Sequence, residues 1–354
     1  MKKIVFFLPS LGSGGAERVA VLISEQLIEY GYDVEILLLK NVVHYDVKPT
    51  VHIASVFEQE QSMGKIERIC KVFSFLQNYV KKNDVILIPM LDTCLRYSVL
   101  LKFITKAKVI ACERNDPYSQ YKTNIKRWIR RKLFDISDYA IFQTEDAKNF
   151  YHQRIKNKYV VIPNPVSLPE VKWKRNQNHD IVTVCRLNPQ KNLKMAVDAI
   201  GLLKDTIPDI HLNIYGEGSE ALALCEYIKE KGLESQVSLC GTTQNTYEVL
   251  RKSNGFILTS NFEGISNSML EALAVGMPVI VTDCPIGGAK MMIQNEKTGI
   301  LIPVGDTGML VESVKRILTD EEFAQKLGAQ AAESMQAYTL EKIANQWIDV
   351  VNKV

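Results

Sequence analysis

Residues 3–20 read KIVFFLPSLGSGGAERVA. An apolar run at 3–8 leads into a loop carrying Gly12, Gly14 and Gly15, and apolar residues then recur at helical spacing over 16–29. A buried strand, a glycine loop and a helix in that order open a doubly wound α/β domain. The start MKKIVFFL resembles the charged and apolar regions of a short signal peptide. Its apolar run is too short and passes straight into PSLGSGG, so it reads as a first strand.

Working outward, the same alternation continues. Further strands are expected at 33–39, 84–89, 108–112, 138–142 and 159–163, with a helix at 64–80 among the segments between them. Residues 163–179, PNPVSLPEVKWKRNQNH, break the rhythm with three prolines and many polar residues, and read as a linker. A second series follows at 180–184, 210–215, 236–240, 255–260, 278–282 and 299–304, and three helical segments close the chain. The expectation is α/β with two doubly wound, Rossmann-like domains and an interdomain cleft: 1–163, a linker at 164–179, 180–337, and a terminal helix at 338–354.

The bulk numbers agree. A chain of 354 residues is too long for one ordinary core. A net charge of +3 makes any basic function local. Seven cysteines with no C-x-x-C pair argue against a zinc ribbon or a thioredoxin-type site and fit reduced thiols. No stretch approaches the roughly 20 apolar residues that span a bilayer.

In doubly wound sheets, ligands bind beyond the carboxyl ends of the strands, so the loops there carry the chemistry. The loop at 9–15 is not a dinucleotide fingerprint, because Glu17 stands where the third glycine belongs and the second strand ends at Lys40 and Asn41 rather than at an acid. VCRLNPQKNL (184–193) places Arg186 and Lys191 around an Asn188–Pro189 turn, two cations that would clamp a diphosphate unless they merely edge a solvated turn. Gly216 and Gly218 in YGEGSE, and Thr242 in GTT, add small-residue turns at two more strand ends. In SNFEGISNSMLEALAVG (260–276), Glu263 precedes Gly264, Ile265 and Ser266. A helix starting near Asn267 or Ser268 then offers free N–H groups to an anion. Glu271 follows one turn later among alanines and leucine, where the ordinary alternative is a solvent-facing glutamate.

At these residues the sequence resembles the GT4 family of retaining glycosyltransferases, with GT-B architecture. Glu263 and Glu271 match its Glu, seven residues, Glu motif, and Arg186 and Lys191 its cation pair. The GSGGAER loop, IPNPV and the last helix, returning to the first domain, also match. The resemblance implies that Arg186 and Lys191 hold the donor diphosphate and stabilise the leaving nucleotide. Glu271 would bind ribose, and Glu263 the transferred sugar, with Gly264, Ile265, Ser266, Asn267 and Ser268 beside it. Gly216, Gly218 and Thr242 would border the nucleotide. Gly14 and Gly15 would approach the donor phosphate or the acceptor. Many relatives carry a histidine on the acceptor side. This chain has ACERNDP (111–117) there, with Glu113, Arg114 and Asn115. Arg114 stays protonated and is no base, which leaves Glu113 to accept a proton or orient the acceptor hydroxyl. No D-x-D occurs in the chain, so metal independence is expected, with no cofactor.

YKTNIKRWIRRKLFD (121–135) is the strongest local charge anomaly. Ile125, Trp128, Ile129 and Leu133 form an apolar stripe, while Lys122, Lys126 and Arg130 lie four apart, joined by Arg127 and Arg131. The bland reading is a solvated helix face; the sharper one is contact with anionic lipid or with the diphosphate of a polyprenyl-linked acceptor. No nucleic-acid motif is present. The expectation is an enzyme moving a hexose or N-acetylhexosamine from a UDP-sugar to a glycan acceptor, in bacterial surface polysaccharide synthesis. Its place would be cytoplasmic, peripheral on the inner face of the cell membrane. The rivals are a two-domain sugar-binding protein without turnover and a nicotinamide oxidoreductase, which the broken fingerprint disfavours.

Overall fold

The structure is a computed structural model that describes residues 2–12, 14–59, 63–82, 84–151 and 158–354. The chain divides into two compact units, residues 1–165 with 340–354, and residues 166–339.

In the first unit the described residues form a seven-stranded parallel sheet. Its strands are β1 Lys3–Leu8, β2 Val34–Lys40, β3 His52–Phe57, β4 Val85–Pro89, β5 Lys108–Glu113, β6 Tyr139–Phe142 and β7 Tyr159–Val161, in the order β3-β2-β1-β4-β5-β6-β7. The strands are rich in Val, Ile and Phe because helices cover both faces and the interior strands see no water. Val5, Phe7, Leu37, Leu87 and Val109 line one core with Val72, Leu76, Leu95 and Val99 from the helices Lys65–Lys82 and Asp92–Lys102. On the other side the helix Leu340–Val351 packs beside the helix Gly15–Glu29. Its Trp347 is fully buried, with its ring centroid 5.7 Å from that of Phe6. Truncating such a side chain to alanine costs about 3–5 kcal/mol, so this last helix is integral to the first unit. Order reverses between β1 and β4, which makes the ends of those strands, and of their neighbour β5, the place to look for a ligand.

The second unit has a six-stranded parallel sheet: β8 His179–Val184, β9 Ile210–Tyr215, β10 Val237–Leu239, β11 Gly255–Leu258, β12 Val279–Thr282 and β13 Ile300–Ile302, ordered β10-β9-β8-β11-β12-β13. Its reversal lies between β8 and β11, with Ile181 opposite Gly255. The proline-rich stretch read as a linker is laid along this unit rather than spanning open space. Val166 bridges Thr339, and Trp173 is buried, giving its backbone N–H to the Val275 carbonyl (2.7 Å) and its indole N–H to the Ser253 carbonyl (2.7 Å). A chain that satisfies its polar groups on a sheet layer becomes part of that layer. Among the described residues no helix is long and apolar enough to cross a membrane.

Candidate functional site

In the second unit the loops following β8 to β11 are joined at the carboxyl edge by backbone hydrogen bonds. Cys185 N–H meets the Tyr215 carbonyl at 3.0 Å, Leu187 N–H the Glu217 carbonyl at 2.8 Å, and Gly216 N–H the Gly241 carbonyl at 2.7 Å. Gly216 and Gly218 are required by this closeness. Both have positive φ, and a Cβ would lie 1.8 Å from the Cys185 carbonyl oxygen and 2.1 Å from that of Leu187. The expected turns at Arg186, Gly216, Gly218 and Thr242 therefore share one edge; Arg186 and Thr242 are exposed there.

Lys191 and Glu263 meet at the reversal point. Asn192, at φ 46°, turns the chain into the helix Leu193–Leu203, and Thr259 Oγ1 holds that turn through the Lys191 and Asn192 carbonyls (2.9 and 3.1 Å). Lys191, only 7% exposed, donates from Nζ to Glu263 Oε2. Glu263 also accepts from Ser260 Oγ (3.2 Å) and, through Oε1, from Gln190 Nε2 (3.3 Å), which donates as well to the Phe262 carbonyl (2.8 Å). Two expected site residues are thus an ion pair, while Arg186 makes no ion pair among the described residues. Gln190 and Ser260 escaped the sequence reading, since a polar residue in a loop carries no periodic signal.

Glu263 leads into the helix Asn267–Val275, whose N-cap Ser266 accepts from Met269 N–H. Gly264, Ile265 and Ser266 are buried, and Asn267 and Ser268 half-buried. First-turn N–H groups of a helix have no intrahelical partner, and the dipole at that end favours an anion. Glu271 is 3% exposed, which removes the reading of a solvent-facing glutamate. The turn is braced by the loop after β12. There Ile286 is held at φ 66° while 5% exposed, a rare conformation for a β-branched residue, and a Cβ on Gly288 would lie 1.8 Å from the Gly264 carbonyl oxygen. Strain of this kind gathers where the surroundings hold a backbone in place. Beside the pair, burial pushes the Cys284 thiol up to about 11.

In the first unit the expectations need correction. The helix Asn124–Ile136 turns most of its apolar stripe outward, with Ile125 68%, Trp128 51% and Ile129 40% exposed, while Leu133 packs against the core. Arg130, expected to meet lipid phosphate, is instead buried. Its Nη1 reaches Asp92 Oδ1 (3.1 Å), its Nη2 and Nε reach Glu113 Oε2 (3.0 and 3.2 Å), and the guanidinium lies over the Phe134 ring. Arg127 donates to the Tyr121 carbonyl (2.7 Å) and Arg131 to the Phe150 carbonyl (2.9 Å). Lys122 and Lys126 remain exposed.

Glu113, expected to take a proton or orient the acceptor hydroxyl, is 2% exposed, and both its oxygens are engaged. Tyr151 donates to Oε2 beside Arg130, and the Arg114 N–H donates to Oε1 (3.2 Å). Both its oxygens already accept from protein donors, which leaves it poorly placed to take a proton from a substrate. Asn115 Oδ1 accepts from Asp116 N–H (2.9 Å), ordering the next turn. Gly14 and Gly15 begin the helix Gly15–Glu29 without a side-chain cap, and the Gly14 carbonyl is held by Tyr45 Oη (2.7 Å). Ser13 of that loop lies outside the described residues. Asp92 and Tyr151, which complete the Arg130 network, were also missed as partners.

Comparison with known proteins adds the following. Residues 168–334 match the family described as glycosyl transferases group 1. An uncharacterized glycosyltransferase of Haemophilus influenzae is 25% identical over 98% of this chain and 99% of its own. A Campylobacter jejuni protein, named as an N-acetylgalactosamine-N,N'-diacetylbacillosaminyl-diphospho-undecaprenol 4-alpha-N-acetylgalactosaminyltransferase, is 24% identical over 97% and 98%. The fold matches Anabaena HepE, solved with UDP and glucose, with a TM-score of 0.87 at 16% identity over all of both chains.

Proposed function

We propose that the chain, whose residues 168–334 match the group 1 glycosyl transferases, moves a hexose or N-acetylhexosamine from a UDP-sugar to a polyprenyl-diphosphate-linked glycan, with retention and without a metal. The observation that carries this reading is the Lys191–Glu263 pair, set at the reversal of the second sheet beside a helix N-terminus and the buried Glu271.

Cleaving the bond between the anomeric carbon and the diphosphate oxygen puts negative charge on the departing phosphate. Fixed donors aimed there lower the barrier. Arg186 supplies an exposed, uncommitted charge. An ammonium has three N–H donors, so Lys191 keeps donors for phosphate after binding Glu263. The first-turn N–H groups after Ser266 add theirs. These cations do the work a metal does in other transferases. Glu263, fixed by Lys191, Gln190 and Ser260, accepts from the sugar hydroxyls. Glu271 accepts from the ribose. The acceptor hydroxyl then attacks on the face the diphosphate leaves and passes its proton to the departing phosphate oxygen, which keeps the anomeric configuration.

The undecaprenol-linked substrate in the Campylobacter protein's name supports a lipid-borne acceptor. The outward Ile125, Trp128 and Ile129, flanked by Lys122 and Lys126, suit the cytoplasmic face of a membrane. Tryptophan favours the headgroup level, and each lysine near anionic lipid contributes about 1 kcal/mol. UDP release from a panel of UDP-sugars in excess EDTA tests the transfer reading. Turnover is expected; complete dependence on manganese refutes the metal-free step. Binding without any turnover on lipid-linked acceptors returns the rival of a sugar-binding protein. Flotation with phosphatidylglycerol vesicles, lost on Trp128→Ser with Ile129→Ser, tests the membrane face.

A further inference from the structure

Arg114 is the one guanidinium of the first unit whose three nitrogens are all screened from solvent without a hydrogen-bond partner among the described residues. It stands directly after β5, at the sheet's ligand-binding end, and the residue as a whole is half-buried although its guanidinium is screened. The neighbouring carboxylate does not serve it, because Glu113 is committed to Arg130 and Tyr151 through one oxygen and to a backbone N–H through the other. What it does meet is Trp347, whose ring centroid lies 5.9 Å from Cζ. The Trp347 indole Nε1 is also buried and also lacks a hydrogen-bond partner among the described residues. Donors are therefore gathered here with no acceptor among them. A cation–π contact offsets little of the cost of desolvating a charge, and buried polar groups are otherwise almost always paired. Burial accordingly draws the Arg114 pKa down.

We infer that Arg114 and the Trp347 indole N–H form an oxyanion site on the first unit, filled by a phosphate or carboxylate group of the acceptor. The fork of a guanidinium matches two oxygens of either group, and the indole N–H supplies a further donor. Only the naming of the acceptor as the anion's source rests on the transferase reading; the site rests on the orphaned donors.

The test reads thermal unfolding of the full chain with inorganic pyrophosphate, orthophosphate or acetate. Wild type and Lys191→Met are expected to gain about 2 °C in Tm at ten times the dissociation constant, and Arg114→Gln to gain none. Lys191→Met separates this response from any anion held in the second unit. Trp347→Phe keeps an aromatic ring, though a smaller one, loses the N–H, and should show a smaller gain. A response to the phosphates alone assigns a phosphorylated acceptor, and one to acetate alone a carboxylated sugar. Without ligand, Arg114→Met should raise Tm, since an unpaired buried charge is replaced by an apolar chain; an arginine that only props Trp347 would lower it. The inference is overturned if no anion moves wild type, if Arg114→Gln responds equally, or if Arg114→Met lowers Tm. None of these readouts needs glycosyl transfer, so absence of UDP release would sink the transferase reading and leave this test standing.

Discussion

Removing one partner of the Lys191–Glu263 pair should disturb stability and chemistry in separable ways. The two charges attract with roughly 5 kcal/mol at about 3 Å and an effective dielectric near 20, less the cost of desolvating both. Lys191 is 7% exposed and the Glu263 side chain 19%, so solvent replaces little of what is lost. Lys191→Met leaves Glu263 with Ser260 at 3.2 Å and Gln190 at 3.3 Å. That partial satisfaction puts the cost at the low end for a broken buried pair, about 2–3 kcal/mol. Glu263→Gln leaves the ammonium with no counter-charge, for about 3 kcal/mol. The double variant should cost less than the sum, by about 2 kcal/mol of coupling, since neither charge is then stranded. Urea unfolding measures all four proteins. Turnover should not recover in parallel: Lys191→Met should lose about 10²–10³-fold in kcat as a leaving-group donor disappears, and the double variant should stay as slow. Additive stabilities would refute the pair, and near-normal turnover of Lys191→Met would refute its part in the reaction.

Three further outcomes follow from the packing. Gly288→Ala should cut turnover at least tenfold and lower Tm, because its Cβ meets the Gly264 carbonyl at 1.8 Å and backbone must move; unchanged UDP release would contradict the bracing role. In Asp138, burial acts to raise the pKa, but the Lys102 ion pair (2.7 Å) and the Val109 N–H (2.8 Å) outweigh it and the net shift is downward. Its stabilising contribution is therefore present above the ordinary carboxylate range and lost as pH falls through the folded value. Asp138→Asn should flatten the acid limb of a stability–pH curve, and an unchanged limb would count against it. Among the thiols, exposed Cys70 should react with a chromogenic disulfide first, while Cys112, pushed up to about 12 by burial, and Cys284 should wait for unfolding; early labelling of Cys284 would contradict its placement.

The α/β class and the two parallel sheets were legible because buried parallel strands are continuous apolar runs. The strand at His52–Phe57 was missed for the converse reason: it is a half-exposed edge strand, HIASVF, with no such run. The position of the loops was legible where glycines, cations and acids follow strands, as at Gly216, Lys191 and Glu263. The pairing of Lys191 with Glu263 across 72 residues was not, since it depends on β8 and β11 being neighbours. Periodicity also misplaced the helix Asn124–Ile136. Most of its apolar stripe faces out and its buried face carries Arg130, because Asp92 and Glu113 supply counter-charges that no local pattern reveals.

The most direct measurement is the calorimetric titration of UDP into wild type, Glu271→Gln and Glu263→Gln, with turnover measured alongside. A ribose hydrogen bond to a buried carboxylate contributes about 1.5–3 kcal/mol, so Glu271→Gln should weaken UDP at least tenfold. Glu263→Gln should bind UDP at least as tightly as wild type, since it frees the Lys191 ammonium for the diphosphate, while losing most turnover. Equal UDP affinities for the two variants, or no binding of UDP by the wild type, would contradict the donor grip assigned to the second unit.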